Sequence, residues 1–213
     1  MILEGARRTI GKPPSQQKEP ISMSMAKELV QRYGNDASLV QRRTVVLYLL
    51  GFASFFRISE LVGIQVMHLK FGATHLEITV PKAKNDQQRE GHVVFIARSH
   101  SNECPVRQLR RYLDDTGLEA DGGNYVFSRL AKTKSGHRAI GTKPLSDKTL
   151  RELFNSTVAP ICDEVEPGAY CLHSLRSGGA SSASNDRETR EVEVRLVKGQ
   201  ILKGQQGKEV ISL

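Results

Sequence analysis

An α+β fold, mostly helical with a small antiparallel β-sheet or hairpin packed at one edge, is what the sequence predicts, and three patterns carry that expectation. Capped, helix-period apolar stripes recur between Ser22 and Asn185; two β-rich runs flank a polar turn; and one helix is apolar on nearly every side. The first twenty residues, with Gly11, Pro13, Pro14, Pro20 and the run S-Q-Q-K-E, have no period and read as a linker.

From Ser22 the elements follow in order. S-M-S-M-A-K-E-L-V-Q-R-Y-G offers a Ser cap, apolar Met25, Leu29 and Val30, and a stop at Gly34. A second helix opens near Ser38, and its run V-V-L-Y-L-L-G-F-A-S-F-F has no polar face, which predicts a central buried helix ending close to Arg57. I-S-E-L-V-G-I reads as a short helical segment. H-L-E-I-T-V-P and H-V-V-F-I-A are β-rich, and the turn-forming K-A-K-N-D-Q-Q-R-E-G between them closes an antiparallel hairpin. Cys104 to Thr116 (Val106, Leu109, Tyr112, Leu113, then Gly117) and Ser146 to Val158 have the helix period, and K-T-K-S-G-H-R-A-I-G-T-K between them reads as a mobile basic loop. His173 to Asn185 is a last helix rich in small residues, suited to close packing.

The length of 213 residues allows one domain or a domain and a half, with Lys+Arg 31 against Asp+Glu 23, a net charge of +8 and a pI near 9.5. A basic balance points to a polyanionic partner. Cys104, Cys162 and Cys171 are odd in number and form no C-x-x-C pair, which excludes a disulfide framework and a zinc ribbon and predicts reduced, buried thiols. Val45 to Phe56 is too short to span a bilayer, and the start M-I-L-E-G-A-R-R lacks the apolar region of a signal peptide. An intracellular protein is expected. From Asp186 onward the chain has mixed charge and no sustained period; its Lys+Arg 6 minus Asp+Glu 5 gives +1, so 8 − 1 = +7 belongs to residues 1–185. The division read from the sequence is therefore a linker over 1–20, a folded body over 21–185 and an atypical tail over 186–213.

Four basic residues stand at suggestive points: Arg57 after the apolar helix, Lys84 in the hairpin turn, and His173 and Arg176, three apart at a helix start and so facing one way. Two guanidinium forks and an imidazole suit a phosphate, since the forks match its oxygens and His moves a proton near neutral pH. Singly, each has a plainer reading: a snorkelling Arg, a solvated turn Lys, ordinary surface composition. No H-E-x-x-H, ligand-spaced carboxylate cluster, P-loop or G-x-G-x-x-G accompanies them, so neither metal nor cofactor is expected.

In this order, F-F-R-I-S-E-L, then A-K-N-D-Q-Q-R-E-G in a hairpin, then H-S-L-R-S-G-G-A resemble the catalytic domain of the tyrosine recombinases, the phage-integrase family, over about residues 20–185. The resemblance implies metal-free DNA breaking and rejoining, in which a Tyr hydroxyl attacks the scissile phosphate and forms a 3′-phosphotyrosine link. It implies that Arg57 and Arg176 clamp the non-bridging oxygens, that Lys84 protonates the departing 5′-oxygen and that His173 assists proton transfer. Glu60 is then either the group that orients Arg57 or a solvated helix-face carboxylate. Double-stranded DNA is the implied partner, with Lys82, Arg89, Lys132 and Lys134 as backbone contacts beside Lys84, and self-association on DNA follows the family's habit. No membrane partner is implied. The implied location is the nucleus in a eukaryote and the cytoplasm otherwise.

The family's second His or Trp motif and its nucleophile should follow the H-x-x-R helix. Here Tyr33, Tyr48, Tyr112, Tyr125 and Tyr170 all precede Arg176, and no histidine follows His173. Tyr48 and Tyr112 lie on apolar stripes and fit the core. Back-translation offers a reason. Read one nucleotide later, Glu188–Thr189 must give Lys or Arg, and the following junctions to Val194–Arg195 permit His-Gly-(Lys/Arg)-Trp-(Lys/Arg)-Ser. The Ile201–Leu202 junction permits Tyr, 201 − 189 = 12 positions after the His. The tail thus reads as an out-of-frame copy of the missing segment, joined across a short deletion or misplaced splice junction. As written, the chain is expected to bind DNA and to be catalytically impaired. A non-enzymatic regulatory fragment and a degenerate mobile-element product are the alternatives.

Overall fold

The computed structural model describes residues 18–34, 38–81, 92–120, 122–158, 160–161, 169–185 and 197–198. Helix α1 (Met23–Tyr33) starts where Ser22 Oγ accepts from the Met25 N–H at 3.2 Å. Helix α2 (Leu39–Ser54) opens with a reciprocal cap: Ser38 Oγ accepts from Gln41 N, and Gln41 Oε1 accepts from Ser38 N at 2.9 Å. Helix α2 is the axis of the molecule, buried at every position from Arg43 to Ser54, as its uninterrupted apolar run predicts.

The short helix α3 (Ile58–Val62) follows, then a 3-10 turn (Val66–His68) and strands β1 (Leu69–Phe71), β2 (His75–Val80) and β3 (His92–Ala97). The last two pair antiparallel with Leu76 opposite Ile96 and Ile78 opposite Val94, and Leu76, Ile78 and Val80 point inward at the two-residue period. Strand β1, too short to stand out in the sequence, pairs with β2 on one side.

Helix α4 (Pro105–Thr116) buries Val106, Leu109 and Tyr112 against α2 and ends at Gly117 in the left-handed region (φ 61°). An Arg42–Asp115 ion pair ties it to α2. Strands β4 (Ser128–Thr133) and β5 (Gly136–Pro144), helix α5 (Asp147–Val158) and helix α6 (His173–Asn185) complete the body. Tyr48 of α2 stacks on Phe154 of α5 with ring centroids 5.5 Å apart and donates its hydroxyl to the Phe154 carbonyl, while Tyr112 donates to the Val126 carbonyl. Both tyrosines are core residues, as their stripes predict. The two-residue strand β6 (Val197–Lys198) lies against β3, giving the sheet the order β1-β2-β3-β6.

One segment differs from expectation. The stretch read as a mobile basic loop is a two-stranded antiparallel ribbon, β4–β5, with Leu130 opposite Ala139 and Lys132 opposite His137. Its inward positions hold small residues such as Ala139 and Gly141, which leave little hydrophobic signal to read. Before α1, Glu19 N donates to Ala169 O and Ile21 N to Ser174 O, so the chain entering the fold is laced to the start of α6. Cys104 is a free, buried thiol and Cys171 a free, half-buried one; Cys162 lies outside the described residues. So do residues 1–17, and residues 186–196 and 199–213, on which most of the out-of-frame reading falls. Among the described residues no helix is long and apolar enough to cross a membrane.

Candidate nucleic-acid interface

The site begins with a backbone turn. Phe55, directly after α2, has φ 53°, and among the described residues it is the non-glycine with a left-handed backbone. That conformation costs an L-residue about 1–2 kcal/mol. Here it reverses the chain sharply enough for Arg57 to lead α3 straight out of the core. Phe55 is held by α6: a Cβ built on Gly179 would lie 2.7 Å from the Phe55 ring carbons and would collide with the Phe52 carbonyl. A Cβ on Gly178 would collide with the backbone of Ile21. The paired glycines of S-G-G-A are what let α6 approach α2 and the entering chain so closely.

Arg57 is then fixed from its own helix. Its backbone N–H donates to Glu60 Oε2 at 2.7 Å and its Nη1 to Glu60 Oε1 at 3.0 Å. The two side chains differ in exposure, with Arg57 at 68% and Glu60 at 13%. The carboxylate therefore sits against the arginine it grips, and the guanidinium keeps most of its surface in water.

Gly51 of α2 joins this segment to the last helix. A Cβ there would lie 3.3 Å from Leu61 Cδ2 and 3.3 Å from Leu175 Cδ1, so α3 and α6 both pack onto the same glycine. Leu61 is one turn beyond Arg57, and Leu175 immediately precedes Arg176. One crossing point thus brings the segments bearing both arginines to one end of α2. His173, exposed at the first position of α6, shares a face with the half-buried Arg176. Among the described residues no hydrogen-bond acceptor or carboxylate is paired with the side chain of either.

The other sequence-predicted residues are placed differently. Lys84, Lys82 and Arg89 lie outside the described residues. Lys132 and Lys134 are exposed on the β4–β5 ribbon, Lys132 in β4 and Lys134 at the turn beyond it, away from the Gly51 crossing. Sequence reasoning missed Arg129 and Arg138, also exposed on that ribbon, and Arg43, buried within α2. Alternation through S-R-L-A-K-T and H-R-A-I-G-T was the available signal for the first two.

No family model matches the chain. The chain is 28% identical over 196 residues to an integrase/recombinase XerD homolog of Selenomonas ruminantium, covering 88% of this chain and 54% of that relative. In structure it is similar to the XerH site-specific recombinase bound to palindromic difH substrate in a post-cleavage complex (TM-score 0.56, 14% identity, 81% of this chain and 44% of that one). It is also similar to the Tn1549 transposon integrase in complex with transposon right end DNA (TM-score 0.57, 16% identity, 84% and 57%). A third likeness is to a lambda integrase dimer bound to a COC′ core site (TM-score 0.54, 14% identity, 88% and 62%). The chain spans about half the length of the curated relative it matches.

Proposed function

We propose that this chain, which by fold and by sequence belongs with the tyrosine recombinases, binds duplex DNA at the Gly51 crossing and by itself leaves the strands uncut. The observation that carries the reading is Arg57: a guanidinium 68% exposed, held by a carboxylate at 13%, at the end of the helix onto which Leu175, the residue before Arg176, packs. Guanidinium forks of this kind hold phosphate oxygens in two-point contacts, and charge-assisted bonds of that type are among the strong ones.

In this reading Arg57 and Arg176 take the non-bridging oxygens of one phosphate, and Glu60 positions Arg57. His173 stands beside that phosphate as a proton-transfer group, and Lys84 protonates a departing 5′-oxygen. Lys82, Arg89, Lys132 and Lys134 contact backbone phosphates farther along the duplex. No metal or cofactor takes part. Strand cleavage needs a nucleophile, and residues 177–213 supply no tyrosine. The place of work is wherever the host keeps its DNA, the nucleus in a eukaryote and the cytoplasm otherwise.

A duplex nicked in the attacked strand, a few nucleotides beyond the attacked phosphate, lets the short 5′-hydroxyl piece leave after attack, so that it traps covalent intermediates and tests both halves. Salt-sensitive binding, weakened tenfold or more by Arg57→Ala or Arg176→Ala, is expected without a denaturant-stable adduct. An adduct that disappears on replacing one of the five tyrosines would overturn the uncut half. Binding indifferent to both arginines would overturn the site.

A further inference from the structure

The β4–β5 ribbon concentrates charge that the Gly51 crossing does not use. Between Asp121 and Asp147 the chain has no Asp or Glu, while Arg129, Lys132, Lys134, Arg138 and Lys143 all fall there. All five are exposed, and among the described residues none is ion-paired.

The ribbon has two different faces. From Arg138 to Thr142 burial alternates, with Ala139 and Gly141 turned inward and Arg138, Ile140 and Thr142 outward; along β4, Ser128 is buried, Arg129 exposed and Leu130 half-buried. With Leu130 opposite Ala139 and Ala131 opposite Arg138, Arg138 lies on the outer face, and Arg129 and Ile140, at the register shift between Ser128 and Leu130, are exposed with it. Ile140 is 41% exposed, one of two large hydrophobic residues that stand out among the described ones.

The root of the ribbon is clamped while its end projects. Arg43 Nη1 donates to Ser128 O at 2.8 Å, Tyr112 Oη to Val126 O at 3.1 Å, Tyr125 N to Gly141 O at 2.8 Å and Leu145 N to Phe127 O at 2.9 Å. Gly141 has φ 78°, and a Cβ there would run into Asn124, so the kink at the root requires glycine. From Ile140, beside the clamped root, the strands run roughly 17 Å to Ser135 in the turn at about 3.4 Å per residue. The major groove of DNA is about 12 Å wide and 8.5 Å deep and admits a two-stranded ribbon.

We propose that β4–β5 is a second duplex-DNA contact, a ribbon seated in the major groove with Arg129 and Arg138 on the flanking phosphates and Ile140 against the base edges. The proposal rests on the reading of the chain as a duplex-DNA binder and extends it to a surface that Arg57 and Arg176 do not occupy. The deep, narrow major groove of duplex RNA does not admit such a ribbon, so DNA is the partner the shape selects.

The test uses the full chain, its Arg129→Gln/Arg138→Gln double variant and, separately, Arg57→Ala. Affinity for one duplex DNA is measured over a range of salt concentrations. Each lost phosphate contact lowers the slope of log affinity against log salt by about 0.9, so the double variant is expected to lose about two units of slope. Guanine N7, which lies in the major groove, should be shielded from methylation by the wild-type chain and not by the double variant. Arg129→Lys/Arg138→Lys keeps the charge and should keep most of the slope, which separates lost contact from lost folding. An unchanged slope and unchanged N7 shielding in the Gln variant, with Arg57→Ala still weakened, would overturn the ribbon alone. A wild-type chain without salt-dependent affinity for duplex DNA would overturn the ribbon together with the reading beneath it. Equal affinity for duplex RNA, lost equally in the Gln variant, would overturn the groove assignment.

Discussion

Arg43, in the first turns of α2, and Arg57, just past its last, stand toward opposite ends of a helix that rises about 16 Å from Arg43 to Ser54 at 1.5 Å per residue, and the fold treats them in opposite ways. Arg43 is 4% exposed, donates to the Ser128 carbonyl at the root of the ribbon and has no carboxylate partner among the described residues. Its Nε is left without an acceptor, and burial lowers its pKa by desolvation. Arg57 keeps 68% of its side-chain surface in water and is held by Glu60. The difference separates two uses of one residue type. A buried guanidinium serves as a donor to the protein's own backbone, while an exposed one, gripped from one side, retains donors for an outside anion.

The largest effect should come from breaking the buried member. Arg43→Ala removes the donor to Ser128 O and opens a cavity between α2, α4 and the ribbon, at a cost of about 2–4 kcal/mol in urea unfolding. Arg43→Met fills the space and sheds the buried charge but still orphans the carbonyl, so its loss should fall between alanine and wild type. Arg57→Ala should stay within about 0.5 kcal/mol of wild type in the same measurement while losing duplex affinity. If Arg57→Ala were the destabilising one, the division of labour between the two arginines would be reversed.

What was legible in the sequence follows the range of the interactions involved. Ser22, Ser38 and Gly117 act within one turn of chain, so the helices they bound could be read directly. Alternation in H-L-E-I-T-V fixed the inward face of β2, because its inward residues are large and apolar. The ribbon escaped because Ala139 and Gly141, its inward residues, contrast little with their neighbours. Arg57 with Glu60 is an i, i+3 relation and was readable as a pair. That α6 comes to the same end of α2 was implied by a resemblance; its physical cause, close approach at Gly51, Gly178 and Gly179, lies in contacts that no local pattern reports. The burial of Arg43 depends on a carbonyl 85 residues away.

Alkaline titration sharpens the buried side of the comparison at a somewhat smaller cost. Tyr112, fully buried beside Arg43, has its pKa pushed up to about 12 by desolvation, with the nearby guanidinium pulling weakly the other way. An unfolded tyrosine ionises near 10. The neutral hydroxyl therefore contributes stability that is fully present below about pH 10 and is lost as pH rises through about 12, up to roughly 2.5 kcal/mol from this residue. Tyr112→Phe should give up about 1 kcal/mol at neutral pH with the bond to Val126 O, and should flatten the decline between pH 10 and 12. An equally steep decline in the Phe variant would mean that another group governs that range.

The smallest effect tests the exposed side. Glu60→Ala removes both acceptors that hold Arg57, one of them serving the backbone N–H that opens α3, and should cost about 1 kcal/mol of stability, as loss of a side-chain cap does. Glu60→Gln keeps an oxygen for the backbone bond and should cost less than half of that, because the ion pair involves a largely exposed guanidinium and contributes little of its own. Duplex binding separates positioning from simple charge. Either substitution makes the site one unit more positive, which alone would tighten binding to a polyanion. If Glu60 aims Arg57, the alanine variant should instead bind duplex DNA about threefold more weakly, with an unchanged salt slope, and the glutamine variant should return to near the wild-type affinity. Tighter binding by both variants would mean that Arg57 finds the phosphate without Glu60, and that the carboxylate at this end of α2 serves the cap alone.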